Sequence, residues 1–292
     1  MIYVSTSCVK SNNIKQSIDC LVKNGFKNIE LSGGSEYYNG LEKDLISIKK
    51  NKKVNFLLHN YFPPSNIPFV LNLASLNDKI YQMSLSHYKK ALDLSKLLGC
   101  TKYGLHAGFL MDPDINDLGK KISKNELFNR YECIDRFCDA YKILEKYSPG
   151  IKLYVENNVF SYSNKIAFEK NPFLFTDFET YNELSNKIDF NILLDVAHLK
   201  VSSNSLSLSF ADQLKKLSAK SDYIHISDND GLSDLNKSII KDSDMFNILS
   251  IINFENKIIT LEIYEKLSLI LKSYDLLDNF FFNSSKNISD EK

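Results

Sequence analysis

The sequence predicts a single-domain α/β protein folded as a (β/α)8 barrel. Three observations carry this reading: eight short β-rich runs recur along the chain, helical patterns fall between them, and irregular segments gather after the strands' C-terminal ends. The length agrees, because the chain has 292 residues and barrels of ~250 residues are routinely one domain.

The predicted strands, in order, are 2–7, 28–31, 54–59, 102–106, 152–156, 191–195, 223–226 and 258–263. Several are continuously apolar, as in Asn-Ile-Leu-Leu-Asp at 191–195 and Ile-Ile-Thr-Leu-Glu at 258–262. Runs of that kind are buried on both faces, which is the habit of parallel sheets. Helical patterns follow at 14–24, 85–98, 127–146, 177–187, 210–219, 245–252 and 266–276. Gly25 and Gly99 mark two helix ends, where a left-handed cap favours glycine. The irregular segments are 60–78, 108–125, 157–175, the serine-rich 199–209, and 227–242. In a barrel these are the βα loops, on the face where active sites sit. An open doubly wound sheet is the alternative, but no Gly-x-Gly-x-x-Gly follows the first strand to support its dinucleotide-binding form. The barrel is assigned to residues 1–283 and a polar C-terminal tail to 284–292.

Charge narrows the partners. There are 36 basic and 36 acidic side chains, so no net charge draws the protein to nucleic acid or an anionic membrane. Arg130 and Arg136 are the only arginines, which leaves little guanidinium for bidentate phosphate recognition. No run approaches ~20 apolar residues, so no membrane span is expected. Cys8, Cys20, Cys100, Cys133 and Cys138 are an odd set without a Cys-x-x-Cys pair. They read as reduced thiols. The opening Met-Ile-Tyr-Val-Ser-Thr lacks a basic leader, so a cytoplasmic protein is expected.

The histidines are the most informative residues. His59 and His106 close strands three and four, His225 lies in strand seven, and His198 follows Asp195 at the end of strand six; only His87 falls within a helical pattern. Glu156 ends strand five, Asp195 ends strand six and Glu262 lies near the end of strand eight, each interrupting an apolar run. Taken singly, a polar residue at a strand end is most often a satisfied structural group or a helix cap. Seven converging on one rim is another matter, because buried carboxylates without a compensating cation are strongly unfavourable. One divalent metal ion held by Glu156, Asp195, His225 and Glu262 is the economical solution. Mixed oxygen and imidazole ligands suit Mn, Mg, Co, Fe or Zn.

The segments Leu-Leu-His59-Asn, Phe-Val-Leu-Asn-Leu-Ala-Ser at 69–75, Leu-His106-Ala-Gly, Val-Glu156-Asn-Asn, Leu-Asp195-Val-Ala-His198, His225-Ile-Ser-Asp228 and Leu-Glu262-Ile stand in the order found in one superfamily. The sequence resembles the xylose isomerase-like TIM barrels, which include sugar isomerases and epimerases together with endonuclease IV. The resemblance implies that Glu156, Asp195, His225 and Glu262 bind one divalent metal, and that Glu156 and Glu262 shuttle a proton on opposite sides of a substrate carbon. It implies that His198 contacts substrate oxygens, and His59 and His106 serve as further substrate contacts. The implied activity is metal-dependent isomerisation or epimerisation of a small-molecule sugar through a metal-stabilised ene-diolate. A homo-oligomer is compatible with the sequence, which sets no stoichiometry.

Two departures matter. Family epimerases commonly carry an arginine shortly after the strand-seven histidine; here the stretch is Ser-Asp-Asn-Asp-Gly-Leu, with Lys237 the nearest later cation. The rival reading is an endonuclease IV-like phosphodiesterase for abasic DNA, using His59, His106, Glu156, Asp195, His198, His225 and Glu262 as ligands. Its third zinc needs an Asp-x-His beyond strand seven, and no histidine follows His225. A third class, a barrel that binds a sugar or metal without turnover, is disfavoured by the complete ligand set. Tyr61, Phe62, Phe109, Phe160 and Tyr264 lie beside the proposed ligands, where they are rim packing or stacking surfaces for a sugar.

Overall fold

A computed structural model of the chain describes residues 1–117 and 120–283; the expected tail at 284–292 lies outside the described residues. Eight parallel strands close into a barrel in sequence order: β1 (Ile2–Ser5), β2 (Asn28–Leu31), β3 (Asn55–His59), β4 (Lys102–His106), β5 (Lys152–Glu156), β6 (Asn191–Asp195), β7 (Tyr223–Ile226) and β8 (Ile258–Leu261). β8 pairs with β1 through Ile2 and Ile259, which completes the ring and leaves no open edge.

The helices on the outside are α1 (Ile14–Lys23), α2 (Leu41–Lys52), α3 (Asp78–Leu97), α4 (Arg130–Tyr147), α5 (Tyr162–Ala167), α6 (Phe178–Ser185), α7 (Val196–Leu206), α8 (Phe210–Ser218), α9 (Asp244–Leu249) and α10 (Leu267–Leu277). Short polar side chains start many of them: Asn13, Asn77, Asn129, Asp177, Ser209 and Ser243 each accept a backbone N–H of the first turn. Gly25 and Gly99 follow α1 and α3 with φ of 90° and 64°, values that penalise any side chain.

The structure corrects the sequence reading in several places. Helix α5 forms within 157–175, read as irregular, where Ser161 caps it, and strand one ends at Ser5, where the chain turns into a 3-10 helix over Thr6–Cys8. The serine-rich 199–209 is not irregular: α7 springs directly from β6, with Asp195 as its N-cap accepting from His198 N at 2.7 Å. Its serines Ser202, Ser203 and Ser205 are buried, and Ser202 Oγ accepts from Phe160 N at 2.9 Å, so packing overrides poor helix propensity. Helix α2 is absent from the sequence pattern, because only Leu41, Leu45 and Ile48 of its twelve residues are buried. Helix α3 begins at Asp78 and not at 85, because Asn77 caps it.

Alternation within the strands decides what faces the barrel axis. Tyr3, Leu57, Tyr154, Leu193 and Tyr223 form one interior cluster. Two residues further along β3, β5, β6 and β7 stand His59, Glu156, Asp195 and His225. The pairing register sets His106 opposite Glu156 and Asp195 opposite His225. The polar residues therefore close the apolar plug at its C-terminal end. No helix among the described residues is long and apolar enough to cross a membrane.

Candidate metal centre and cavity

Glu156, Asp195, His225 and Glu262 are brought together, with one ligand-type atom of each within 4.8 Å of the others and all four residues buried. Three of the atoms in this group, Glu156 Oε1, Asp195 Oδ2 and His225 Nδ1, have no hydrogen-bond partner. His225 Nδ1 lies 3.3 Å from Glu156 Oε1 and 3.3 Å from Glu262 Oε2. The remaining oxygens are committed elsewhere. Asp195 Oδ1 caps α7, while Glu262 Oε1 accepts from Ser7 Oγ at 2.9 Å and Tyr264 OH at 2.9 Å.

His59 and His106 meet the other side of Glu156. His59 Nε2 is 2.7 Å from Glu156 Oε2 and His106 Nε2 is 3.0 Å from the same oxygen. Their Nδ1 atoms rest on Ser32 Oγ at 3.3 Å and Asn158 Oδ1 at 3.2 Å. The three residues form a second group capable of holding an ion, sharing Glu156 with the first. Gly104 makes this approach feasible: a Cβ there would stand 2.6 Å from His59 Cδ2 and 2.9 Å from Leu193 Cδ2. His198 points its Nδ1–H at Asn157 O, 2.9 Å away, and its Nε2 lies 3.3 Å from Asp234 Oδ2.

Sequence reasoning passes over several of these partners. Glu30, on β2, is fully buried beneath the group. Its Oε2 lies 3.1 Å from His225 Nε2 and accepts from Thr260 Oγ1 at 2.9 Å and from the Tyr223 hydroxyl. A signal exists, a lone acid in the short strand Asn-Ile-Glu-Leu, of the same kind that singles out Glu156. Asp234 and Ser7 give no such signal, because Asp234 comes from an irregular segment and Ser7, in the run read as strand one, is a small hydroxyl that interrupts no apolar pattern. Of the aromatics, Tyr61, Phe109 and Tyr264 line the cavity, whereas Phe62 is buried in the main core and Phe160 packs with Phe109 and Phe173. Lys237 pairs through its main chain with Asp228. The cation that engages this loop is Lys200, with Nζ 2.6 Å from Asp228 Oδ1 and 2.7 Å from Asn229 O.

Charge follows this geometry. Burial alone would raise the Glu156 pKa, but His106, His59 and His225 outweigh it and hold the carboxyl well below its usual range. Burial likewise opposes ionisation of Glu262, and His225 with His59 overcomes it to set a pKa of about 2. Asp195 differs: burial dominates and pushes it up to about 7, against the pull of His198. His225 is held well above its ordinary value, because Glu30, Glu156 and Glu262 outweigh desolvation.

Above the cluster opens a cavity of about 1180 Å³, lined by His59, His106, Glu156, His198 and Glu262 among others. A closed parallel barrel with buried acids and imidazoles at its C-terminal mouth is a (β/α)8 barrel with a candidate metal site where active sites of this fold lie. The chain belongs to the xylose isomerase-like TIM barrel family, which it matches over residues 18–280. Among solved structures, a D-tagatose 3-epimerase-like protein superposes with a TM-score of 0.73 at 18% identity, covering 98% of this chain and 99% of that one. The E. coli 3-keto-D-glucoside 4-epimerase YcjR in its apo form gives 0.63 at 13% identity, covering 94% and 97%. Endonuclease IV from Thermus thermophilus gives 0.59 at 11% identity, covering 95% and 97%. At these identities the likeness is one of fold. No curated protein matches by sequence.

Proposed function

We propose that the protein is a divalent-metal-dependent isomerase or epimerase of a sugar or sugar derivative, acting by proton transfer through an ene-diolate. One observation carries the reading: Glu156 Oε1, Asp195 Oδ2 and His225 Nδ1 are buried, unpartnered and gathered with Glu262 within 4.8 Å. Unpartnered buried acceptors are costly, and this donor set of three carboxylates and one imidazole fits a hard or borderline divalent ion. Bound there, such an ion supplies Lewis-acid polarisation of a substrate carbonyl and neutralises charge on its oxygens.

The chain's own groups move the proton. Glu156 and Glu262 come from β5 and from the residue just after β8, and both line the cavity. One glutamate, as carboxylate, removes the proton beside the substrate carbonyl; the other, having taken a proton from solvent, delivers it to the ene-diolate, and the first then releases its proton to solvent. Return to the opposite face of the same carbon gives an epimer; return at the neighbouring carbon interconverts aldose and ketose. His59 and His106 steady Glu156 Oε2 and line the cavity wall beside the substrate, while His198, whose Nε2 is 3.3 Å from Asp234 Oδ2, is the imidazole that reaches substrate oxygens. The sugar epimerases named among the structural neighbours support a sugar as the substrate.

Metal content per chain, by elemental mass spectrometry on untagged protein, tests the reading; one divalent ion is expected. The group formed by His59, His106 and Glu156 favours one rival, the endonuclease IV-like phosphodiesterase. Two or three zinc ions together with cleavage of abasic DNA would establish that rival instead.

Metal affinity should depend on pH in a fixed direction. Asp195, with its pKa near 7, and His225, held above its ordinary value, must both shed protons to act as ligands. Protons therefore compete with the ion, and Mn(II) affinity is expected to climb at least about tenfold per pH unit up to pH 7. Calorimetric titration at pH 6 and pH 7 measures it, and equal affinities would show that neither Asp195 nor His225 gives up a proton to the ion, which removes both from the ligand set.

His198→Ala is expected to weaken sugar binding about tenfold or more, as loss of a hydrogen bond to a charged group does, while metal content is unchanged. Loss of the metal in that variant would make His198 a ligand.

A further inference from the structure

His87 is the histidine that the chemistry leaves unused. It sits midway along α3, is 8% exposed, and still lines the cavity. Its ring stands edge-on to Phe69 (6.5 Å, 85°) and to Tyr88 (5.9 Å, 85°). Its Nε2 is buried without a hydrogen-bond partner. Asn60, immediately after β3, lines the same cavity and is similarly placed: the Tyr88 hydroxyl donates to its Oδ1 at 2.6 Å, and its Nδ2 is buried and unpartnered. Buried polar atoms in native structures nearly always have partners, so two unsatisfied ones in one cavity call for a ligand.

The chemistry of that ligand follows from the wall. Burial, helped by Lys90, lowers the His87 pKa to about 4, so its imidazole is neutral and offers one donor and one acceptor. Asn60 Nδ2 is a neutral donor, and Tyr61, Phe69 and Leu71 supply apolar surface beside it. No charged side chain belongs to this wall among the described lining residues of 60–71 and His87. Neutral hydroxyls fit such a surface, whereas phosphates and carboxylates do not. The space is also generous: about 1180 Å³, against roughly 300–1,000 Å³ for ordinary small-molecule sites.

We propose that His87 and Asn60 form a second subsite that binds the hydroxyls of a sugar unit beyond the reacting one, so that the substrate is a ketose carrying a glycosyl substituent and not a free monosaccharide. This rests on the sugar reading above. His87 and Asn60 take no part in the proton transfer; they hold the distal ring while Tyr61 and Phe69 shield it from water.

The test is calorimetric binding to the Mn(II)-supplied protein of D-fructose and of two glycosyl-fructoses, isomaltulose and lactulose. The better of the two disaccharides is expected to bind at least tenfold more tightly than fructose. His87→Leu should abolish that ratio and leave the fructose affinity unchanged. His87→Gln, which restores an amide near the position of Nε2, should recover part of the ratio and guards against a merely misfolded leucine variant. A disaccharide no tighter than fructose, or an advantage that survives in His87→Leu, overturns the subsite while leaving the sugar reading in place. Failure of all three sugars to bind the unmodified protein overturns the sugar reading and the subsite with it.

Discussion

Glutamine at position 156 is expected to abolish sugar turnover and to strip most of the metal. Glu156 is the hub of the site, since Oε2 holds His59 and His106 while Oε1 faces His225. An amide replaces one acceptor with a donor. It then confronts an imidazole N–H or the ion, and removes a charge that three histidines were arranged around. Loss of a general base alone lowers rates about 10²–10⁴-fold. Glu262→Gln should lose turnover by a similar factor but keep more metal, because Ser7 and Tyr264 still hold the side chain through its carbonyl oxygen. Wash-in of solvent deuterium into an accepted ketose, read beside metal content, separates the two effects. Full exchange in either variant would end the proton-shuttle assignment.

The second large effect is expected at Glu30, which touches no substrate. Its carboxylate receives the Tyr223 and Thr260 hydroxyls and braces His225 Nε2, all inside the barrel. Removal of one partner from a buried charged pair costs about 3–5 kcal/mol, so Glu30→Ala should show that loss in denaturant unfolding. Glu30→Gln preserves the shape and one acceptor and is the more telling variant. With the charge behind His225 gone, the imidazole is a weaker ligand, and loss of such supporting contacts typically lowers metal affinity about 10–100-fold. Unchanged Mn(II) affinity in a folded Glu30→Gln protein would show that His225 is held by its backbone and ring packing alone.

Both experiments bear on residues of unequal legibility. Glu156, Asp195 and Glu262 stand out together, because several charges ending apolar parallel strands on one rim have few structural excuses. Glu30 carries the same mark in Asn-Ile-Glu-Leu, yet its strand is only four residues long and the acid lies one place from the end. His87 does not stand out, because a histidine in a helical pattern is ordinarily a packing residue. Only the approach of α3 to the loop after β3 turns it toward the cavity. Helix α7 is hidden for another reason: its serines read as loop until the neighbouring elements that bury them are in place, among them the segment whose Asn158 carbonyl accepts the Ser202 hydroxyl.

The order of the eight strands, and the strand ends at which polar residues gather, were determined by the sequence alone. Those features depend on local quantities: the two-residue alternation of strands, the apolar runs of parallel sheets, and the caps that start and stop helices. The tertiary structure decided which polar atoms meet. Strand register set His106 level with Glu156 and Asp195 level with His225, and the absence of a side chain at Gly104 let the His59 ring close in. Loops distant in sequence delivered Ser7, Asp234 and Asn60 to the cavity. Such contacts join residues up to 255 positions apart, as Ser7 and Glu262 are, and their geometry follows from barrel closure, which no local pattern encodes.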